Sequence, residues 1–167
     1  EAGGGGHGLV LAFEQLPGFP DRGSVDPTDT ITISDSVISG NAAAGVLVTG
    51  DANPVLQRVE VTDNGSCGVC WAGNSSGQLI DALVQRNQIG VQVGELATAL
   101  VEGTTVSDNR DVGVSVDGAA SPVVRASEIS NNGQIGVQVT GDAAPVVEAS
   151  TISGHGVGML VSGAATP

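Results

Sequence analysis

The chain has no lysine and no tyrosine, and its aromatic residues are two phenylalanines and one tryptophan in 167 positions. Five Lys+Arg residues face 18 acids, for a formal charge of −13. Nucleic acid and anionic membranes are recognised by clustered positive charge, so neither is an expected partner. No apolar run approaches the roughly 18 residues that mark a membrane-spanning helix, and no span is expected. Cysteine is confined to Cys67 and Cys70. One CxxC pair lacks the second pair or neighbouring histidines that zinc requires. An interior this poor in aromatics must be built from Val, Ile and Leu, and the 40% apolar content is enough for one domain with its own core. The chain starts at Glu1 without a signal-peptide pattern, which reads as a mature or excised segment.

What is abundant is glycine, at 26 residues, and it recurs on a fixed period. With Asn132 as the reference, its counterparts are Asn41, Asn64, Asn87, Asn109 and His155, at intervals of 22 or 23 residues. Three or four residues after each lies a glycine: Gly45, Gly68, Gly90, Gly113, Gly136 and Gly158. Apolar residues stand three before (Ile38 to Ile152) and eight before (Ile33 to Val147) each reference position. Self-similarity at 20 to 50 residues denotes a stacked repeat architecture.

Inside one repeat the apolar positions alternate over short runs, as at Val137 and Val139, which is the period of a half-buried strand. Clusters of Gly, Asn, Asp, Ser and Pro separate three such runs and leave no room for a helix. A unit this small cannot bury its own apolar face, so it must stack on its neighbours into a continuous core. In a parallel coil each residue lies about 4.8 Å from its counterpart in the next. Amides at that spacing can bond into a ladder, and Asn41, Asn64, Asn87, Asn109, Asn132 and His155 are expected to form one. Asn also tolerates the left-handed backbone region, which would suit a corner. Five residues before each reference stands a small side chain (Ser36, Val59, Ala82, Thr104, Ser127, Ser150), expected on packing grounds where two strands meet.

The pattern N-x2-3-G-[VM]-x-[VW] with an apolar residue at minus three covers Ile31 to Gly163. In this it resembles the right-handed parallel β-helix superfamily, the pectate-lyase-like fold, and especially short repeats of bacterial secreted and surface proteins. The resemblance implies an all-β, right-handed parallel β-helix of about six to seven coils. It implies an extracellular or cell-surface location in a bacterium. For function it is permissive, since the superfamily includes polysaccharide lyases, hydrolases, epimerases, tailspikes and non-catalytic stalks. None of its catalytic residue sets has counterparts at matching positions here.

The single domain divides into an irregular N-terminal coil (1–29) carrying a loop at 12–29, regular coils at 30–163, and the start of a further coil at 164–167. Both phenylalanines, Phe13 and Phe19, fall in that loop, which reads as a cover for the side or top of the solenoid, or as a recognition loop. An end left open would be covered by further coils or by another molecule.

Charged columns read as structural. Glu102, Arg125 and Glu148, then Asp35, Arg58 and Asp81, then Asp63, Arg86 and Asp108 place an arginine between acids of adjacent coils. Asp51, Glu95, Asp117 and Asp142 lie near one corner and are a candidate for Ca²⁺, against the plainer reading of solvent-facing turn residues. No other cofactor is indicated. Cys67 and Cys70 form a disulfide only if the strand is not fully extended between them. Trp71 takes an inward position. Leu47, Cys70, Gln92, Ser115, Gln138 and Leu160 make an uncharged outer column suited to contact with a protein or a glycan. The expected role is a structural or adhesive module, with a polysaccharide-acting lyase or epimerase and a glycan-binding module as alternatives.

Overall fold

Period-2 runs too short to stand alone find their partners one repeat away. A computed structural model describes residues 6–13 and 30–167. The first strand, β1 (Leu9–Phe13), precedes six coils of three strands each. These are β2 (Thr32–Ser34), β3 (Val37–Ser39) and β4 (Val46–Gly50); β5 (Val55–Gln57), β6 (Glu60–Thr62) and β7 (Cys67–Trp71); and β8 (Gln78–Ile80), β9 (Leu83–Gln85) and β10 (Ile89–Val93). They continue with β11 (Leu100–Glu102), β12 (Thr105–Ser107) and β13 (Val112–Val116); β14 (Val123–Arg125), β15 (Glu128–Ser130) and β16 (Ile135–Val139); and β17 (Val146–Glu148), β18 (Thr151–Ser153) and β19 (Val157–Val161). Every pairing is parallel and joins a strand to its counterpart one coil on, giving one sheet of seven strands and two of six. The architecture is an all-β solenoid. No helix among the described residues is long and apolar enough to cross a membrane.

The core runs through the middle as stacked columns. On the seven-stranded sheet Val46, Val69, Val91, Val114 and Val137 form one, and Val48, Trp71, Val93, Val116 and Val139 the next, all buried. Leu56, Leu79, Val101 and Val124 line the second sheet, and Val61, Val84, Val106 and Ile129 the third. Each fully buried aliphatic side chain contributes about 1.5–3 kcal/mol by leaving water. β-Branched residues dominate because a pleated surface accommodates their restricted χ1 well.

Corners are made by single left-handed residues. At the first, Asp35, Arg58, Asp81, Ala126 and Ala149 have φ between 48° and 52°. At the second, the residue before the ladder position turns the chain: Asp63, Arg86, Asp108 and Asn131, at φ of 53° to 59°. This corrects the expectation that the ladder asparagines occupy the left-handed region; they do not, and it is their neighbours that do. A second correction concerns the loop placed at 12–29. Ala12 and Phe13 belong to β1, where they pair with Thr49 and Gly50, and the rest of that stretch lies outside the described residues.

Trp71 is the largest side chain in the core, 1% exposed, with its indole Nε1 donating to the Ser76 carbonyl at 3.1 Å. Replacing it with alanine is expected to destabilise by about 3–5 kcal/mol through lost burial and a cavity, read as a lower urea midpoint. Leu96→Ala, at a 63% exposed position, is expected to stay within about 0.5 kcal/mol of the parent.

Candidate functional site

The amide ladder is continuous. Asn41 Nδ2 donates to Asn64 Oδ1 at 2.8 Å, Asn64 to Asn87 at 2.9 Å, Asn87 to Asn109 at 3.2 Å, and Asn109 to Asn132 at 2.8 Å. Each acceptor oxygen also takes the backbone N–H of the preceding asparagine, at 3.0–3.1 Å. The second amide proton goes to a backbone carbonyl: Ile38, Val61, Val84 and Val106 for Asn64, Asn87, Asn109 and Asn132 respectively. These four side chains are at most 1% exposed, and a buried amide needs such saturation. The paired glycine is explained by the same contact. A methyl group on Gly113 would stand 2.6 Å from Asn132 Nδ2 and 2.7 Å from the Gly136 carbonyl oxygen.

His155 ends the ladder, with its Nε2 3.1 Å from Asn132 Nδ2. Because Asn132 Nδ2 can only donate, Nε2 accepts and the imidazole is neutral with its proton on Nδ1. Burial holds its pKa below the ordinary value of 6.5.

A second ladder, of hydroxyls, runs along the other corner. Ala82 N donates to Thr104 Oγ1 at 3.3 Å, Thr104 N to Ser127 Oγ at 3.2 Å, and Ser127 N to Ser150 Oγ at 3.2 Å. Sequence reasoning treated these positions as merely small and missed the bonds. The run of Thr104, Ser127 and Ser150 in successive coils was the signal.

Outside, the arginines pair with one acid each rather than two. Arg58 Nε and Nη2 grip the two oxygens of Asp35 at 2.7 Å, and Arg86 grips Asp63 in the same way at 3.0 Å. Arg125 reaches Glu102 through Nη2 alone, at 2.9 Å, and its Nε has no partner among the described residues. The acids of the following coil, Asp81, Asp108 and Glu148, favour each guanidinium only through their charge. The sandwich expected from the sequence is therefore one-sided, each arginine reaching back to the preceding coil. These bonds hold the Asp35 and Asp63 carboxyls below the usual range.

The outer column Leu47, Cys70, Gln92, Ser115, Gln138 and Leu160 is in register along the seven-stranded sheet. Gln92 is tied to Asp117 at 3.3 Å. Cys67 and Cys70 are joined in a disulfide with their Cα atoms 5.9 Å apart, against about 10 Å for three fully extended steps. Among the corner acids, Asp51 accepts from Asn74 and Glu95 from the Gly73 N–H. No group of three or more potential metal ligands is gathered among the described residues. The second sheet carries an open depression of about 370 Å³ that sequence reasoning did not single out, lined by Ser76, Gly77, Gln78, Thr98, Leu100 and Arg125 among others. It lies where Gly77 and Ala99 replace the prolines found at Pro54, Pro122 and Pro145 in the neighbouring coils.

Three parallel sheets wound around an internal amide ladder define a β-solenoid. A family model described as right handed beta helix region matches residues 24–167. The chain belongs to that family, which also gives the hand of the coil. No curated protein matches the chain, and no solved structure does.

Removing Asn109 leaves the buried Asn87 N–H and the Val84 carbonyl without their partner. Asn109→Ala is expected to cost about 2–4 kcal/mol, and Asn41→Ala, at the half-buried start of the ladder, clearly less; paired urea titrations compare them. The pH dependence has a definite sign. His155 binds its proton more weakly folded than unfolded, so its contribution is full above pH 6.5 and is lost as pH falls through the lowered folded value. Asp35 and Asp63 act likewise below their ordinary 3.8. His155→Asn is expected to flatten the decline in urea midpoint between about pH 7 and about pH 5.

Proposed function

We propose that the chain is a structural module of an extracellular or bacterial surface protein, a stiff rod that spaces or displays other parts and that can assemble end to end. The observation that carries this reading is the equivalence of the coils. The amide ladder passes through all six of them, whereas a catalytic site requires one coil to depart from its neighbours. Arg58, Arg86 and Arg125 are held by carboxylates that raise their pKa, which opposes proton abstraction by these three. The Cys67–Cys70 disulfide suits an oxidising compartment.

A second reading, a non-catalytic glycan-binding module, is favoured by the depression on the second sheet. Its lining combines the hydroxyls and amide of Ser76, Thr98 and Gln78 with Leu100 and the Arg125 guanidinium, a combination suited to a polyhydroxylated chain. The outer column from Leu47 to Leu160 is the other surface for such contact.

Incubation with panels of acidic and neutral polysaccharides separates these readings. The rod reading expects neither new chain ends nor saturable binding, together with surface exposure of the protein on intact source cells. Turnover abolished by a single point mutation would establish the lyase or epimerase alternative. Saturable binding without turnover, weakened by Leu100→Asp, would establish the binding module.

A further inference from the structure

Four strands of the seven-stranded sheet, β10, β13, β16 and β19, repeat one five-residue form without a cross-link. In them the places of Cys67 and Cys70 are taken by Ile89 and Gln92, Val112 and Ser115, Ile135 and Gln138, and Val157 and Leu160. β7 has the same form and is paired on both sides, to β4 and to β10. The disulfide joins residues only three apart in sequence, and the shortest loops remove the least entropy from an unfolded chain. The strand does not need this bond as a staple.

Gly68 explains how the two sulfurs meet. A methyl group there would stand 2.6 Å from Val84 Cγ1 and 2.8 Å from Asn87 Nδ2, so the position faces the interior. Val69 and Trp71 face it too, at 0% and 1% exposed. Two inward positions in succession, Gly68 and Val69, break the period-2 alternation of a strand. The cysteines on either side therefore fall on the same outer face. Their access to solvent differs: Cys67 is 1% exposed, whereas Cys70 is partly exposed in the outer column between Leu47 and Gln92. None of the seven strands of this sheet carries a charged residue. On a chain of formal charge −13, it is the sheet that an anionic thiolate approaches against the least repulsion. Exposed disulfides are the labile ones, and exchange depends on which sulfur can be attacked.

We infer that Cys67–Cys70 is a thiol–disulfide exchange site for low-molecular-weight thiols, entered at Cys70, and that the solenoid stays folded in both redox states. A thiolate attacks Cys70 Sγ, forming a mixed disulfide as the bond between the cysteines breaks, and Cys67 leaves as a thiolate that takes a proton from water. A second thiolate attacks the outer sulfur of the mixed disulfide and releases Cys70, which is protonated in turn. Two small thiols are oxidised to their disulfide, and the protein disulfide is reduced to two thiols. The buried Cys67 reverses the first step by attacking Cys70 Sγ and expelling the small thiol. This chemistry does not depend on the role of the rod.

The test incubates the oxidised chain, without denaturant, in glutathione mixtures of rising reduced fraction. Samples are quenched in acid, unfolded and alkylated, and the thiols are counted by mass. The pair is expected to open to two thiols and to close again when the mixture is reversed, with the circular dichroism spectrum unchanged throughout. Cys67→Ile combined with Cys70→Gln copies the next strand, and is expected to keep that spectrum and one cooperative urea transition. In the single variants Cys67→Ser and Cys70→Ser, oxidised glutathione is expected to cap the remaining Cys70 at least about tenfold faster than the remaining Cys67. A pair that opens only in urea overturns the inference, as does loss of the strand spectrum on reduction. So do equal capping rates for the two cysteines, and a chain that keeps two free thiols in oxidised glutathione.

Discussion

A corner of a three-strand coil leaves backbone N–H groups that no sheet ladder can take, and the fold depends on side-chain oxygens from the next coil to receive them. Asn64, Asn87, Asn109 and Asn132 do this at one corner, and Thr104, Ser127 and Ser150 at another. The unmet alternative is a buried donor, worth about 1–3 kcal/mol each time. That is why an interior otherwise made of valine, leucine and isoleucine retains rows of polar side chains. It also explains the glycine column, because the amide filling each corner occupies the volume a Cβ would need.

The surface follows a different logic. Arg58 and Arg86 sit in left-handed corners directly above Asp35 and Asp63, which sit in left-handed corners themselves. Stacked corners bring equivalent Cα atoms close, and the planar guanidinium can then meet both carboxylate oxygens. Arg125 leaves from a strand and faces a longer acid, and it forms one bond. These half-exposed pairs contribute little to stability, and their main effect is to limit repulsion along a strongly acidic rod.

Most of the fold was legible in the sequence because a solenoid repeats its own evidence: six spaced asparagine or histidine positions, each followed by glycine, leave few architectures open. The amide ladder was legible for the same reason. The hydroxyl ladder was not, since Ser, Thr, Ala and Val share its column and small size accounts for all of them. The left-handed corners were assigned one residue late, because asparagine's tolerance of that region is a real preference that here loses to its role as a buried bonding group. The pairing of Cys67 with Cys70 turned on whether the chain between them is fully extended, a matter of backbone geometry that spacing alone does not carry. The depression near Leu100 is lined by Gly77 and Ala99 where other coils carry proline, and a feature shared by two adjacent coils has no signature within a single repeat.

The ladder bonds all point the same way. In the sheets, backbone donors reach alternately forward and back, as Leu9 N to the Gly45 carbonyl and Val55 N to the Ile31 carbonyl, and their dipoles largely cancel along the axis. The bonds from amide to amide, Asn41 through Asn132, instead all run toward the C-terminal end, while the second amide proton of Asn64, Asn87, Asn109 and Asn132 reaches back to a carbonyl of the preceding coil. Each ladder oxygen therefore faces the N-terminal end and accepts from the coil before it. The ladder thus has a direction, beginning at the Asn41 amide and ending on the His155 imidazole, and the two ends of the solenoid differ in the hydrogen-bonding groups they present.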